Sequence, residues 1–280
     1  MTTETGARGA VITAGQLLEL LERPGDGRGP VLLEIGREPA DAPEAADRLP
    51  GAHYVALSTQ LAGERRPDSG RYPLPGAEEI QRQVRRWGID ADTVVVVHTR
   101  TDLQLATRAW FVLTWAGVPD VRVLDGGLDA WVAAGGPLGS GEPAEGGGTF
   151  TVTTGSLPTL DAEKAAGLAR SGTLIDARPT AAYTGVEGGG HIPGALNVPA
   201  AAHLGPDGRL KGLDELRERY AALGAVEGAD IGLYCGGGVA ATLGLFVLDA
   251  LGMRARLYPG SWSEWSNDPS RPVASGEGPG

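Results

Sequence analysis

The only cysteine of the chain, Cys235, stands in the run YCGGGVAA at 234 to 241. A thiolate is the most nucleophilic group a side chain offers near neutral pH. Three successive glycines let the backbone turn several N–H groups toward one point, making a nest that holds an anion. Gly236, Gly237, Gly238, Val239 and Ala240 are therefore the candidate anion-holding residues around a candidate nucleophile, Cys235. The alternative is a small apolar plug at a strand end, a common fate of a lone buried cysteine. A plug does not require three glycines, and they weigh against it. Two arginines are candidates for binding an anionic substrate: Arg71 in SGRYPLP and Arg48 in RLPGA. The ordinary role of either is a surface ion pair.

The elements that must position this loop are legible on both sides of it. IGLY (231 to 234) is a short apolar run ending at Cys235, and an apolar stretch follows from about residue 240. That pattern predicts a buried parallel strand, a tight loop and a buried helix, with the loop at the carboxyl edge of a sheet, where ligands bind in open α/β folds. The same order of signals occurs twice. RLPGAHYVAL, DTVVVVHTR and WFVLTWAGVPDVRVLDGGLDAW in the first half answer GHIPGALNVP, DIGLYCGGG and FVLDALGMRARLYPGSWSEW in the second, with Gly117 matching Gly252 and Trp131 matching Trp265. Each half opens with a helical pattern, at 14 to 22 and 161 to 170, followed by a strand, VLLEI or TLIDA. Two α/β domains are expected, at 8–136 and 151–275, joined by a Gly/Pro-rich linker at 137–150. In the first, His98 takes the place of Cys235. With no cysteine or carboxylate cluster beside it, His98 predicts a solvated turn residue and no metal site. The stretch from Ser58 to Gly76 is long for a loop in a compact domain, which keeps Arg71 in view.

Composition narrows the partners. With 280 residues, 24 Lys and Arg against 35 Asp and Glu, and a net charge of -11, the chain lacks the basic excess that nucleic acid or an anionic membrane requires. The uncharged run at 231 to 248 contains five glycines and is closed by Asp249, which argues for a buried strand and helix over a membrane span. No basic region followed by an apolar one opens the sequence, and a single cysteine suits a reducing compartment, so a cytoplasmic protein is expected.

GHIPGALNVP, YCGGGVAA and LYPGSWSEW, in that order, resemble the rhodanese family, and the whole chain from about 8 to 273 is similar to its tandem-domain thiosulfate and 3-mercaptopyruvate sulfurtransferases. The resemblance implies two rhodanese-like domains, each a mainly parallel sheet flanked by helices, with the second one catalytic. It implies a Cys235 that takes a sulfane sulfur from a small donor as a persulfide, held by the N–H groups of Gly236 to Ala240, and passes it to cyanide or a thiol without a cofactor. Sulfur donor and acceptor could each also be a protein.

The chain departs from the family pattern at the donor's end. An arginine usual six residues beyond the aspartate of the DAR segment is Ala182 here, and the polar residues usual two and five after the cysteine are Gly237 and Ala240. Losing two charge-assisted hydrogen bonds of roughly 1.5 to 3 kcal/mol each would weaken a small anion by two decades or more. A donor of low charge, or a protein persulfide, is the expectation that follows. Arg48 and Arg71 are the candidates to restore charge, while His191, Asp176 and Arg178 read as loop-fixing residues. Three other functions compete: a sulfur carrier acting between proteins, a duplicate that has lost function, and a cysteine phosphatase. The last would need an arginine six residues after the cysteine, where Ala241 stands.

Overall fold

The computed structural model describes residues 10–22, 29–43, 47–100, 102–139, 146–186 and 189–280. Residues 140–145 of the expected linker, and 187–188 of the loop before GHIPGA, lie outside them. The chain forms two compact units. One comprises Arg8–Gly63 and Leu74–Leu157; the other comprises Pro158–Gly280 together with Glu64–Pro73. The segment 64–73, which the sequence places in a long first-half loop, thus packs with the second half.

In the first unit the order is β1 (Val11–Ile12), α1 (Ala14–Glu22), β2 (Val31–Gly36), β3 (Ala52–Ala56), α2 (Leu57–Gln60), α3 (Ala77–Arg86), β4 (Val95–His98), α4 (Leu103–Trp115), β5 (Val121–Leu124) and α5 (Gly127–Ala133). Its sheet has the order β1-β5-β4-β2-β3, and every pairing is parallel. The second unit holds α6 (Ala162–Ser171), β6 (Thr173–Asp176), α7 (Thr180–Thr184), β7 (Leu196–Asn197), α8 (Leu213–Ala221), β8 (Ile231–Tyr234), α9 (Ala241–Ala250), β9 (Arg256–Leu257) and α10 (Ser261–Trp265). Its sheet runs β7-β6-β8-β9, again all parallel.

Why these segments fold so is plain from their chemistry. β4 and β8 are buried along their whole length, as central parallel strands covered on both faces must be. The Asp161 carboxylate accepts the Lys164 N–H at 2.8 Å and starts α6, while that of Asp102 accepts the Gln104 N–H at 3.1 Å and starts α4. Trp131 and Trp265 anchor the two cores, and each donates its indole N–H to a proline carbonyl just downstream, Pro137 and Pro272. The repeat visible in the sequence therefore extends to the hydrogen bonds of its tryptophans. No helix among the described residues is long and apolar enough to cross a membrane.

Two buried histidines make the fold sensitive to acid. Burial lowers His203 from 6.5 to about 4, with its Nδ1 against the Ala200 carbonyl and its Nε2 against the Tyr220 hydroxyl. Burial and the nearby Arg100 charge lower His98 to about 3. Both folded-state values lie below the unfolded one, so the unfolded chain binds the extra protons. The stabilisation is complete above about pH 6.5 and drains away as pH falls toward 4, at roughly 1.4 kcal/mol per pH unit for each group. Urea midpoints measured from pH 7 to pH 4.5 should fall with that slope, and His203→Gln should flatten it in the second unit. An unchanged slope in the variant would remove His203 from the account.

Candidate active site in the loop between β8 and α9

Cys235 follows the last residue of β8, and α9 begins six residues later at Ala241. The side chain is 1% exposed, so the loop around it sets its surroundings. The Gly238 N–H points at Sγ, 3.2 Å away. Gly238 reaches that geometry at φ +80°, a conformation any side chain would oppose, which is why a glycine stands there. α9 follows directly, with Ala240 at its N-cap, and lays its positive end toward the loop.

The other wall comes from the start of α10. Trp262 and Ser263 donate their backbone N–H groups to the carbonyls of Cys235 and Gly236, at 2.9 and 3.0 Å. Ser261 accepts the Cys235 N–H at 3.1 Å, donates to the Tyr258 carbonyl at 2.9 Å, and holds its hydroxyl 3.9 Å from Sγ. Its backbone sits at φ +54°, and among the described residues no other non-glycine has positive φ. Nothing local in the sequence singles out this serine. The signal that finds it is the repeat, because GGLDAW in the first half becomes GSWSEW in the second.

Strand register makes the comparison of the two halves exact to the residue and corrects the expectation for His98. His98 lies opposite Glu34 in β2, as Tyr234 lies opposite Asp176 in β6. The residue in the place of Cys235 is therefore Thr99. Its carbonyl takes the Leu128 N–H at 3.0 Å, just as that of Cys235 takes the Trp262 N–H. Nor is His98 a solvated turn residue: it is fully buried at the end of β4. By the same alignment Ser261 answers Gly127, whose φ is +55°. One copy uses the glycine that this conformation favours, and the other holds a serine there against the backbone's preference.

Asp176 and Arg178 form a buried pair beneath the site. Arg178 Nη2 reaches Asp176 Oδ2 at 2.6 Å and the Gly190 carbonyl at 2.6 Å, and its guanidinium lies 4.4 Å from the Trp262 ring. Arg178 is thus committed to Asp176 and to Gly190, the residue before His191. His191 is buried as well, with Nδ1 on the Tyr183 carbonyl and its ring stacked on Tyr183. Ala182 lies on α7. Arg71, carried by the segment 64–73, is exposed, donates its backbone N–H to Ser263 Oγ at 2.8 Å and runs its stem across Gly237. Arg48 belongs to the first unit, where it is buried, donates to the Pro43 carbonyl at 2.9 Å and lies over the Tyr54 ring.

The arrangement can do nucleophilic chemistry on an anion: a buried sulfur, a backbone donor aimed at it, a helix end and a hydroxyl nearby. Comparison with known proteins places the chain in a family. The rhodanese-like domain model matches residues 13–134 and again 160–268. "Putative thiosulfate sulfurtransferase SseB" of Mycobacterium tuberculosis is 41% identical over 96% of this chain and 99% of its own length. "Probable 3-mercaptopyruvate sulfurtransferase" of Pseudomonas aeruginosa is 40% identical over 82% of this chain and 85% of its own. The crystal structure of YnjE superposes with a TM-score of 0.84 at 26% identity, covering 96% of this chain and 69% of that one. The chain belongs to the rhodanese-like family and is a tandem-domain sulfurtransferase.

Proposed function

We propose that Cys235 is the nucleophile of this sulfurtransferase and that the second unit carries the reaction. The observation that supports it most is the Gly238 N–H held 3.2 Å from Sγ in the turn leading into α9. In the first half-reaction the thiolate attacks the outer sulfur of thiosulfate. A new sulfur–sulfur bond forms on Cys235, the old one breaks, and its electron pair leaves on sulfite. With 3-mercaptopyruvate the carbon–sulfur bond breaks instead, and the donor's thiol proton ends on the methyl group of pyruvate. In the second half-reaction cyanide or a thiolate attacks the outer sulfur of the persulfide and regenerates the Cys235 thiolate. This is covalent catalysis divided between two substrates. The backbone donors of Gly236 to Ala240 stabilise the anion at both stages, as preorganised dipoles do. A thiolate cycle of this kind suits a reducing cytosol.

Ser261 positions the sulfur. A serine at φ +54° carries strain of order 1 kcal/mol or more, and such strain persists where a side chain is needed. Ser261→Gly is expected to leave the melting temperature equal or higher while reducing kcat by about 10-fold, the worth of one hydrogen bond near a charged group. Ser261→Ala should lose the same activity and also keep the strain. Equal activity in Ser261→Gly and wild type would remove the hydroxyl from the mechanism.

Intact-protein mass spectrometry tests the reading directly. Wild-type protein incubated with thiosulfate or 3-mercaptopyruvate should gain one sulfur atom, and cyanide should remove it, while Cys235→Ser gains none. A thiol that alkylates readily yet takes sulfur from neither donor would defeat the small-donor reading and leave a sulfur carrier acting between proteins.

A further inference from the structure

We infer that Arg71 is the cation that selects an anionic sulfur donor at the Cys235 loop, a reading that rests on the role given to Cys235. The sequence by itself points to a donor of low charge, because Ala182, Gly237 and Ala240 stand where the family resemblance places arginine and other polar groups. The structure brings a charge to the same place from elsewhere. Residues 64–73 leave the first half of the sequence and pack as part of the second unit. Two contacts fasten the segment. Asn267 donates to the Pro67 carbonyl at 3.2 Å, and Gly70 packs so closely on Gly260 that a Cβ on it would lie 2.7 Å from the Gly260 Cα.

Ser263 then ties the segment to the catalytic loop. Its N–H donates to the Gly236 carbonyl at 3.0 Å, and its Oγ accepts the Arg71 N–H at 2.8 Å. One residue thus sets the distance between Arg71 and the neighbour of Cys235. The stem of Arg71 lies over Gly237: a Cβ at that position would come within 2.9 Å of the Arg71 Cβ and 3.7 Å of its Cδ. The missing side chain at 237 is therefore the complement of Arg71. A larger residue in the loop would push the arginine off.

Of the two arginines that this unit sets beside the loop, Arg178 is committed to Asp176 and Gly190. Arg71 is exposed, and its guanidinium has no carboxylate or hydrogen-bond partner among the described residues. A planar guanidinium of this kind takes two oxygens of one oxyanion side by side. The donors it fits are those whose leaving group is a sulfite, sulfinate or carboxylate, with the transferable sulfur turned toward Cys235.

The test compares two alkylating agents that differ in charge. Cys235 displaces iodide from either iodoacetate or neutral iodoacetamide, and neither reaction requires sulfur transfer. Arg71→Ala should slow iodoacetate by about 10-fold and leave iodoacetamide unchanged, and Arg71→Lys should restore much of the loss. Calorimetric titration of Cys235→Ser with thiosulfate and with sulfite should show affinity falling about 10- to 100-fold when Arg71→Ala is added. Parallel slowing of both reagents would mean that Arg71 only supports the loop, and unchanged rates and affinities would overturn the proposal outright. A protein that shows the charge preference yet takes up no sulfur from any donor would refute the persulfide cycle and keep Arg71 as an anion site.

Discussion

Replacing Cys235 by serine is expected to reduce sulfur transfer by on the order of 10³-fold or more, while the melting temperature stays within about 2 °C of wild type. The two halves of that expectation have separate causes. Serine is nearly isosteric with cysteine, and its hydroxyl can accept the Gly238 N–H that now meets Sγ. Nothing in the packing of β8 or the start of α9 is disturbed. An unionised hydroxyl, however, neither attacks a sulfane sulfur nor keeps one as a stable anion. Steady-state assays with cyanide as acceptor, beside thermal melts, separate the two effects. A variant that retained even a tenth of wild-type turnover would move the chemistry away from Cys235.

Much of this site is legible in the amino-acid sequence. β8, the glycine loop and α9 follow from an apolar run, three glycines and a second apolar run, and the structure has a strand at Ile231–Tyr234 and a helix from Ala241. The helices expected at 14 to 22 and 161 to 170 are α1 and, within one residue, α6. β1, β3 and β7 escape a reading by pattern. β1 and β7 are two residues long and β3 runs into α2, so none shows the bounded apolar run that marks a buried strand. His98 illustrates the limit of alignment by eye. DTVVVVHTR and DIGLYCGGG differ by two residues in where the strand ends, and only the hydrogen-bonded register shows that Thr99 answers Cys235. The course of residues 64–73 has no sequence signal, because membership of one folded unit or another is decided by long-range packing with no local signature.

The same register shows how a buried carboxylate is satisfied differently in the two copies. Glu34 is met by Arg100, which comes from the loop after β4 and stands where Gly236 stands in the second copy. Asp176 is met by Arg178, two residues along its own chain. Moving the cation to the β6 side leaves the loop after β8 free to be glycine. The glycines that follow Cys235 therefore depend on where the partner of Asp176 comes from, which ties the stability of the second unit to the chemistry proposed for Cys235.

Asp176→Ala should accordingly be among the most damaging single substitutions in the chain. Asp176 is fully buried and accepts the Arg178 backbone N–H at 2.9 Å as well as its guanidinium. Removing it leaves a guanidinium that is 7% exposed without its counter-charge. Breaking one side of a buried pair costs about 3 to 5 kcal/mol, which lowers the melting temperature of a unit this size by roughly 10 °C or more. Replacing both partners with apolar residues, Asp176→Leu with Arg178→Met, removes the stranded charge, so the double variant should melt above the single one. It should still be impaired in sulfur transfer, because Arg178 also holds the Gly190 carbonyl and stacks on Trp262, whose N–H fixes the Cys235 carbonyl. Calorimetric melts and turnover measured on the same preparations decide the matter: a single variant as stable as wild type would show that the pair contributes nothing to the fold, and a stable double variant with full activity would show that the frame around Cys235 does not depend on it.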